Sequence, residues 1–321
     1  MNAITDPGQT GIEETLARYG VGELISAWPG SPATTCAYEI RTQRAGKEHD
    51  YLFLRVPASG FEAELAALEA CDRAGLPVAK AIPNLAGQPL DRLNGETVML
   101  TRRIPGRRVY NPTVRQVAAL GRFMARFHDA GGNLGPLPAF ACDEKWLVKA
   151  SASVDGRLSY SSAKLLGSSV AQVVSMLGRE DVANLPSGAI HGDICRDNVL
   201  FNEHGLSGVA GFGQVASGFL VYDLAVAAND WCNDAGGILD PERTLGFLRA
   251  YQEIRPLVRA ELWFFSGFTL YAALTCWINR LAFTQDQQVT PGAHFNTPLE
   301  LERIVEQHSA HFFYLDERLL T

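Results

Sequence analysis

The chain has 321 residues, 47% of them hydrophobic and 20% charged, with a net charge of −7. That is the make-up of a globular protein with a large core, and the length favours two lobes over one. The acidic balance argues against nucleic acid or an anionic membrane surface as the main partner, but it leaves nucleotides open.

Chain order gives a β-rich first third. Residues 11–20 read as a short helix stopping near Gly20. Residues 24–28 and 34–42 read as strands around the turn Pro29-Gly30-Ser31-Pro32, and 51–56 as another strand after a charged hairpin. Residues 61–74 carry Leu65, Leu68 and Cys71 at helical spacing and end at Gly75 before Pro77. Residues 78–82 and 97–101 read as further strands. The composition then turns helical. Residues 113–128 place Val117, Leu120, Phe123, Met124 and Phe127 on one face. Helices are also expected over 159–177, 240–251 (opened by Asp240-Pro241-Glu242), 261–283 and 298–314. Phe264, Phe265, Phe268, Tyr271, Trp277, Phe312, Phe313 and Tyr314 suit a core, an acceptor cleft or a dimer face. Core is the default, and a homo-oligomer is open.

Several classes are set aside. The six cysteines, Cys36, Cys71, Cys142, Cys195, Cys232 and Cys276, form no CxxC pair. That fits reduced thiols in the cytoplasm better than a disulfide framework or a zinc site. The first residues lack a basic stretch followed by an apolar one, so no secretory leader is read. The apolar run 262–283 is broken by Gly267, Asn279 and Arg280, which suits a buried helix rather than a membrane span.

The chemistry concentrates in residues 191–232. His191-Gly192-Asp193-Ile194-Cys195-Arg196-Asp197-Asn198 puts an acid five residues before an amide, ahead of the apolar Val199-Leu200-Phe201. Phosphoryl transfer needs such a pair: a carboxylate to orient the attacking hydroxyl and an amide oxygen to hold magnesium. The spacing is that of an HxDxxxxN catalytic loop. A turn aspartate capping backbone amides is the plainer alternative for Asp193.

This loop, with Tyr222-Asp223-Leu224-Ala225 and Asn229-Asp230-Trp231-Cys232 after it, resembles the aminoglycoside phosphotransferase and choline kinase superfamily. Within it the stretch is most similar to bacterial homoserine kinases. The resemblance implies an α+β, protein-kinase-like two-lobed fold with a small β-rich N-lobe (1–103), a hinge (104–108) carrying the nucleotide base, and a mostly helical C-lobe (109–321). It implies ATP and magnesium as cofactors and a small hydroxylated amine or amino acid as acceptor. Asp193 would be the base, Asn198 the metal ligand, and His191 and Asp223 supports of the loop. Arg196, Asn229, Asp230 and Trp231 would face the acceptor. Ser31, Thr34, Arg55 and Glu62 would serve the nucleotide, with Glu62 or Glu64 pairing Arg55.

The chain departs from the family at three places. Gly211, in Val209-Ala210-Gly211-Phe212, stands where the family has a metal-binding acid. Pro32 removes an amide donor from the phosphate turn. Arg55 replaces a lysine, and its planar fork is not a compact ammonium. Together they allow a second expectation: a silent or repurposed kinase fold that binds a ligand or partner, or acts without ATP, with no cofactor. The metal pocket is expected to have room for water beside Asn198, and Gly211→Asp to leave a silent kinase fold inactive but to raise the activity of a crippled kinase.

Overall fold

The structure is a computed structural model that describes residues 7–30, 36–56, 61–132, 134–283, 297–313 and 315. Helix α1 (Pro7–Leu16) precedes three strands, β1 (Glu23–Pro29), β2 (Cys36–Arg44) and β3 (Lys47–Arg55). After α2 (Phe61–Arg73) come β4 (Asp91–Leu93) and β5 (Glu96–Arg102). These strands form one antiparallel sheet in the order β1-β2-β3-β5-β4. Two tight turns set its register. Ala45 and Gly46 join β2 to β3, and Asn94 and Gly95 join β4 to β5, all four at positive φ, as two-residue hairpins of the twist-matching kind require. Ile12, Leu16 and Tyr19 pack on Ile40, Phe53 and Leu100 to give this lobe its own small core.

Residues 78–82 do not form a strand. Val78 makes one parallel bridge to Val209 and Ala81 one antiparallel bridge to Thr101. Pro77 and Pro83 flank the segment, and neither can donate to a ladder.

The remainder is mainly helical: α3 (Val114–Gly131), α4 (Glu144–Asp155), α5 (Tyr160–Leu177), the single turn α6 (Glu180–Ala183), α7 (Leu220–Trp231), α8 (Pro241–Gln252), α9 (Arg259–Phe283) and α10 (Pro298–Ala310). The start signals are satisfied side chains. Thr113 and Gln116 form a reciprocal capping box on α3, Thr297 and Glu300 another on α10, and Asp240 accepts from the Arg243 amide at α8. Phe264, Phe265, Phe268, Tyr271 and Trp277 of α9 are core residues, while Phe312 is exposed and Tyr314 lies outside the described residues. All six cysteines are free thiols. Among the described residues no helix is long and apolar enough to cross a membrane.

Two small two-stranded sheets complete the fold. β6 (Ser187–Ile190) pairs with β9 (Ala216–Phe219), and β7 (Val199–Asn202) with β8 (Gly205–Val209). Residues 191–198 and 210–215 are therefore the two connections between the same four strands. The β7–β8 pair also touches the chain that leaves the sheet: Arg107 and Phe201 exchange backbone hydrogen bonds of 2.9 and 3.0 Å.

His308, on α10, is 9% exposed, and its Nε2 has no hydrogen-bond partner. Burial pushes its pKa down from 6.5 to about 4. Between those values the unfolded chain takes up a proton that the native site refuses, so stability should fall as pH drops from 6.5 toward 4 and not change further on this account below that. The interval is worth roughly 3 kcal/mol. Urea unfolding at stepped pH should show this slope in the wild-type protein, and His308→Leu should flatten it. Equal slopes in the two proteins would contradict this prediction.

Candidate active site

The loop 191–198 is held from beneath by one carboxylate. Asp223, on the first turn of α7, is fully buried. Its Oδ2 accepts from the His191 amide at 2.9 Å and its Oδ1 from the Gly192 amide at 2.9 Å. The ring of His128, on α3, completes the set at 3.1 Å from Oδ2. Burial works to raise the Asp223 pKa, but the hydrogen bond and charge of His128, with the His191 contacts, outweigh it and hold it below the ordinary value. Behind His128 the chain of contacts continues. Its Nδ1 meets the Tyr251 hydroxyl at 2.7 Å, Arg255 Nη1 donates to that oxygen at 3.1 Å, and Arg255 pairs with buried Glu261 at 3.0 Å.

His191 ties the two connections together. Its Nε2 lies 3.0 Å from the Ala210 carbonyl and its Nδ1 accepts from the Asp193 amide at 3.3 Å. Those partners define the Nε2-protonated neutral ring, and burial depresses its pKa in the same sense. Ile194 is fully buried, and its carbonyl accepts from Trp231 Nε1 at 3.0 Å.

Asp193 is solvent-exposed in area, yet protein atoms surround it closely enough to desolvate its charge, as on a concave floor. Burial raises its pKa, opposed by His191 and by hydrogen bonds from Asn198 and Cys195. Asn198 Nδ2 donates to the Asp193 carbonyl at 2.7 Å and to its Oδ2 at 2.9 Å. The amide nitrogen is thereby committed to the acid, and Oδ1 is left as the amide's oxygen donor.

Gly211 adopts φ +81°, and a Cβ there would lie 2.6 Å from Asn198 Cγ. The space beside Asn198 that the sequence leads one to expect is filled by the Asn198 amide itself. An acid at 211 would have to push that amide off Asp193 and adopt a left-handed backbone conformation. Gly211→Asp is therefore expected to destabilise the fold by about 1–3 kcal/mol and leave turnover no higher. Thermal unfolding and ADP release check this together, and a gain in both would contradict it.

The residues expected at the acceptor have partners within the protein. Arg196 and Asp230 face each other: the Asp230 carboxylate takes the Arg196 amide at 2.5 Å and Nη2 at 3.1 Å, while Arg196 Nη1 donates to the Tyr110 carbonyl at 2.7 Å. They brace the loop against α7. Trp231 is fully buried against Phe201 and packs under the loop. Asn229 Nδ2 donates to the Thr269 carbonyl at 2.7 Å, linking α7 to α9.

In the small lobe, Arg55 Nε contacts Glu96 at 3.1 Å and Nη1 donates to the Cys36 carbonyl at 2.9 Å. Its carboxylate partner comes from β5, not from the α2 residues Glu62 or Glu64. Glu62 is exposed on α2. Ser31, Pro32 and Thr34 lie outside the described residues. Sequence reading missed His128, Tyr251 and Arg255, although His128 ends the apolar stripe of α3 and so offered a signal.

Among the described residues no three His, Cys, Asp or Glu side chains gather to hold an ion alone. The donors present, the Asn198 amide oxygen and a nearby carboxylate, are hard oxygens. They suit magnesium that takes most of its ligands from phosphates and water.

A small twisted sheet over a helical body, with this loop between them, defines a kinase-like phosphotransferase architecture. The chain belongs to the phosphotransferase enzyme family, whose pattern matches residues 37–257. It is 30% identical to the homoserine kinase of Methylobacillus flagellatus over 311 residues, covering 97% of this chain and 96% of that one. The homoserine kinase of Pseudomonas aeruginosa is 30% identical over 315 residues, covering 96% and 98%. An amicoumacin kinase solved in complex with AMP-PNP, Ca2+ and Ami shares the fold with a TM-score of 0.71 at 13% identity, covering 98% of each chain. The choline kinase of Streptococcus pneumoniae does so at 0.66 and 13%, covering 94% of this chain and 99% of that one.

Proposed function

We propose that the protein transfers the γ-phosphate of ATP to the hydroxyl of a small amino-acid-like or amino-alcohol acceptor in the cytoplasm, with homoserine the first choice. The observation that carries this reading is the hydrogen-bonded Asp193–Asn198 pair on a loop held from beneath by Asp223. The full-length similarity to homoserine kinases supports it. The hinge is assigned to residues 104–108, where the chain leaves the sheet and meets Phe201.

In this reading Asp193 orients the acceptor hydroxyl and takes its proton. Burial raises the carboxylate's basicity, which suits it to accept that proton. His191 is a neutral brace and takes no proton. Asn198 Oδ1, with one carboxylate, would hold magnesium, which when bound neutralises charge on the nucleotide phosphates. Arg196 and Asp230 fix the loop so that Asp193 meets the acceptor in one orientation.

Incubating the protein with ATP, magnesium and homoserine, beside ethanolamine, serine and choline, should release ADP fastest with homoserine. A different best acceptor would change the substrate and leave the reaction. No turnover with any acceptor, and no rise in melting temperature with ATP, would remove the reading. Gly211 favours a second one: a silent kinase fold that binds a ligand or partner. It predicts that flat thermal response.

A further inference from the structure

Gly211 leaves a nucleotide's cation one carboxylate short, and the small lobe carries one nearby. Glu64 lies in the first turn of α2, and α2 packs on the 212–214 turn. Its Oε2 stands 3.9 Å from where a Cβ on Gly213 would be, two residues beyond the missing acid. The cation that could have neutralised it points elsewhere, since Arg55 reaches Glu96 and the Cys36 carbonyl. Among the described residues Glu64 has no hydrogen-bond or ion-pair partner. Burial raises its pKa, and no positive charge opposes that rise. A half-buried carboxylate beside the turn that follows Gly211, without a counter-charge, is an oxygen donor open to a cation.

We propose that Glu64 supplies, from the small lobe, the carboxylate that position 211 lacks, and with Asn198 holds the divalent cation that enters with the nucleotide. This deepens the phosphotransfer reading and rests on it. That no three His, Cys, Asp or Glu side chains gather among the described residues fits the arrangement, because the ion would be shared with phosphates and not held by protein alone. The plainer role for Glu64 is a favourable charge near the α2 N-terminus, which makes a different prediction for stability.

The test is AMP-PNP binding by calorimetry, with magnesium and with EDTA, in the wild-type protein, Glu64→Gln and Glu69→Gln. Glu69 is exposed further along the same helix and serves as the control. Magnesium should tighten AMP-PNP binding to the wild type and to Glu69→Gln. In Glu64→Gln that gain should shrink by about tenfold or more, with the EDTA affinity unchanged. The melting temperature of Glu64→Gln without nucleotide should hold or rise, because an uncompensated charge is gone. A full magnesium gain in Glu64→Gln overturns the proposal and leaves the phosphotransfer reading standing. So does a wild-type protein that binds AMP-PNP equally with and without magnesium. No AMP-PNP binding to the wild type under either condition overturns both.

Discussion

Asp193→Asn is expected to lower homoserine-dependent ADP release about 10³-fold, with AMP-PNP affinity little changed. The substitution is nearly isosteric. It keeps an oxygen for the Asn198 amide to meet, so the loop should hold its shape. What it removes is the site's proton acceptor. The neighbouring carboxylates do not replace it. Asp223 is buried under the loop accepting three donors, and Asp230 is engaged by Arg196. Asp197 lies 3.3 Å from Arg108. The measurement is steady-state kinetics in parallel with calorimetry. Wild-type turnover in this variant would show that the chemistry lies elsewhere. Because burial raises the wild-type Asp193 pKa, turnover should also fall as pH drops toward it, from a midpoint above the ordinary aspartate value of 3.8.

Asp223→Ala is expected to cost about 3–5 kcal/mol of stability and nearly all activity. The methyl group would leave the His191 and Gly192 amides without their acceptor, and His128 without its carboxylate, in a fully buried site. The His191 amide and the His128 ring are too deeply buried to turn to water. Asp223→Asn should be milder in unfolding, since one oxygen remains to accept. It should still be poorly active, because its amide hydrogens would face a backbone N–H. Denaturant unfolding of both variants, with hydrogen exchange on residues 191–198, separates loss of the fold from loss of the loop. Full stability in Asp223→Ala would mean that the loop is held from elsewhere.

The loop was legible in sequence because its chemistry demands fixed residue types at fixed spacing, and the fold came with the resemblance that those residues carry. The long helices were legible from apolar periodicity and from caps such as Asp240. Other elements were not. Helix α4 buries only Leu147 and Val154, too thin a stripe to stand out. Strand β4 has three residues, although Asn94-Gly95 after it is a strong hairpin signal. The apolar run 78–82 looked like a strand because apolarity alone does not say whether a neighbouring edge is available. At the site, the spacing put Asp193 and Asn198 on one loop but did not say which way α7 turns. The contacts by which Asp230 and Trp231 hold that loop were therefore not legible. His128 and Tyr251 stand 95 and 123 residues from their partners Asp223 and His128, a distance only the folded chain closes.

The Asn198 amide beside Gly211 couples two positions of the chain. With the amide resting against the bare backbone, an acid introduced at 211 alone would meet a neighbour that has taken the room and a backbone turn that suits glycine. Such a side chain would be accepted only with a second change that moved Asn198, and that second change alone would weaken the hold on Asp193. A library that varies either position by itself should therefore return glycine at 211 and asparagine at 198, whereas one that varies both together has other pairs open to it.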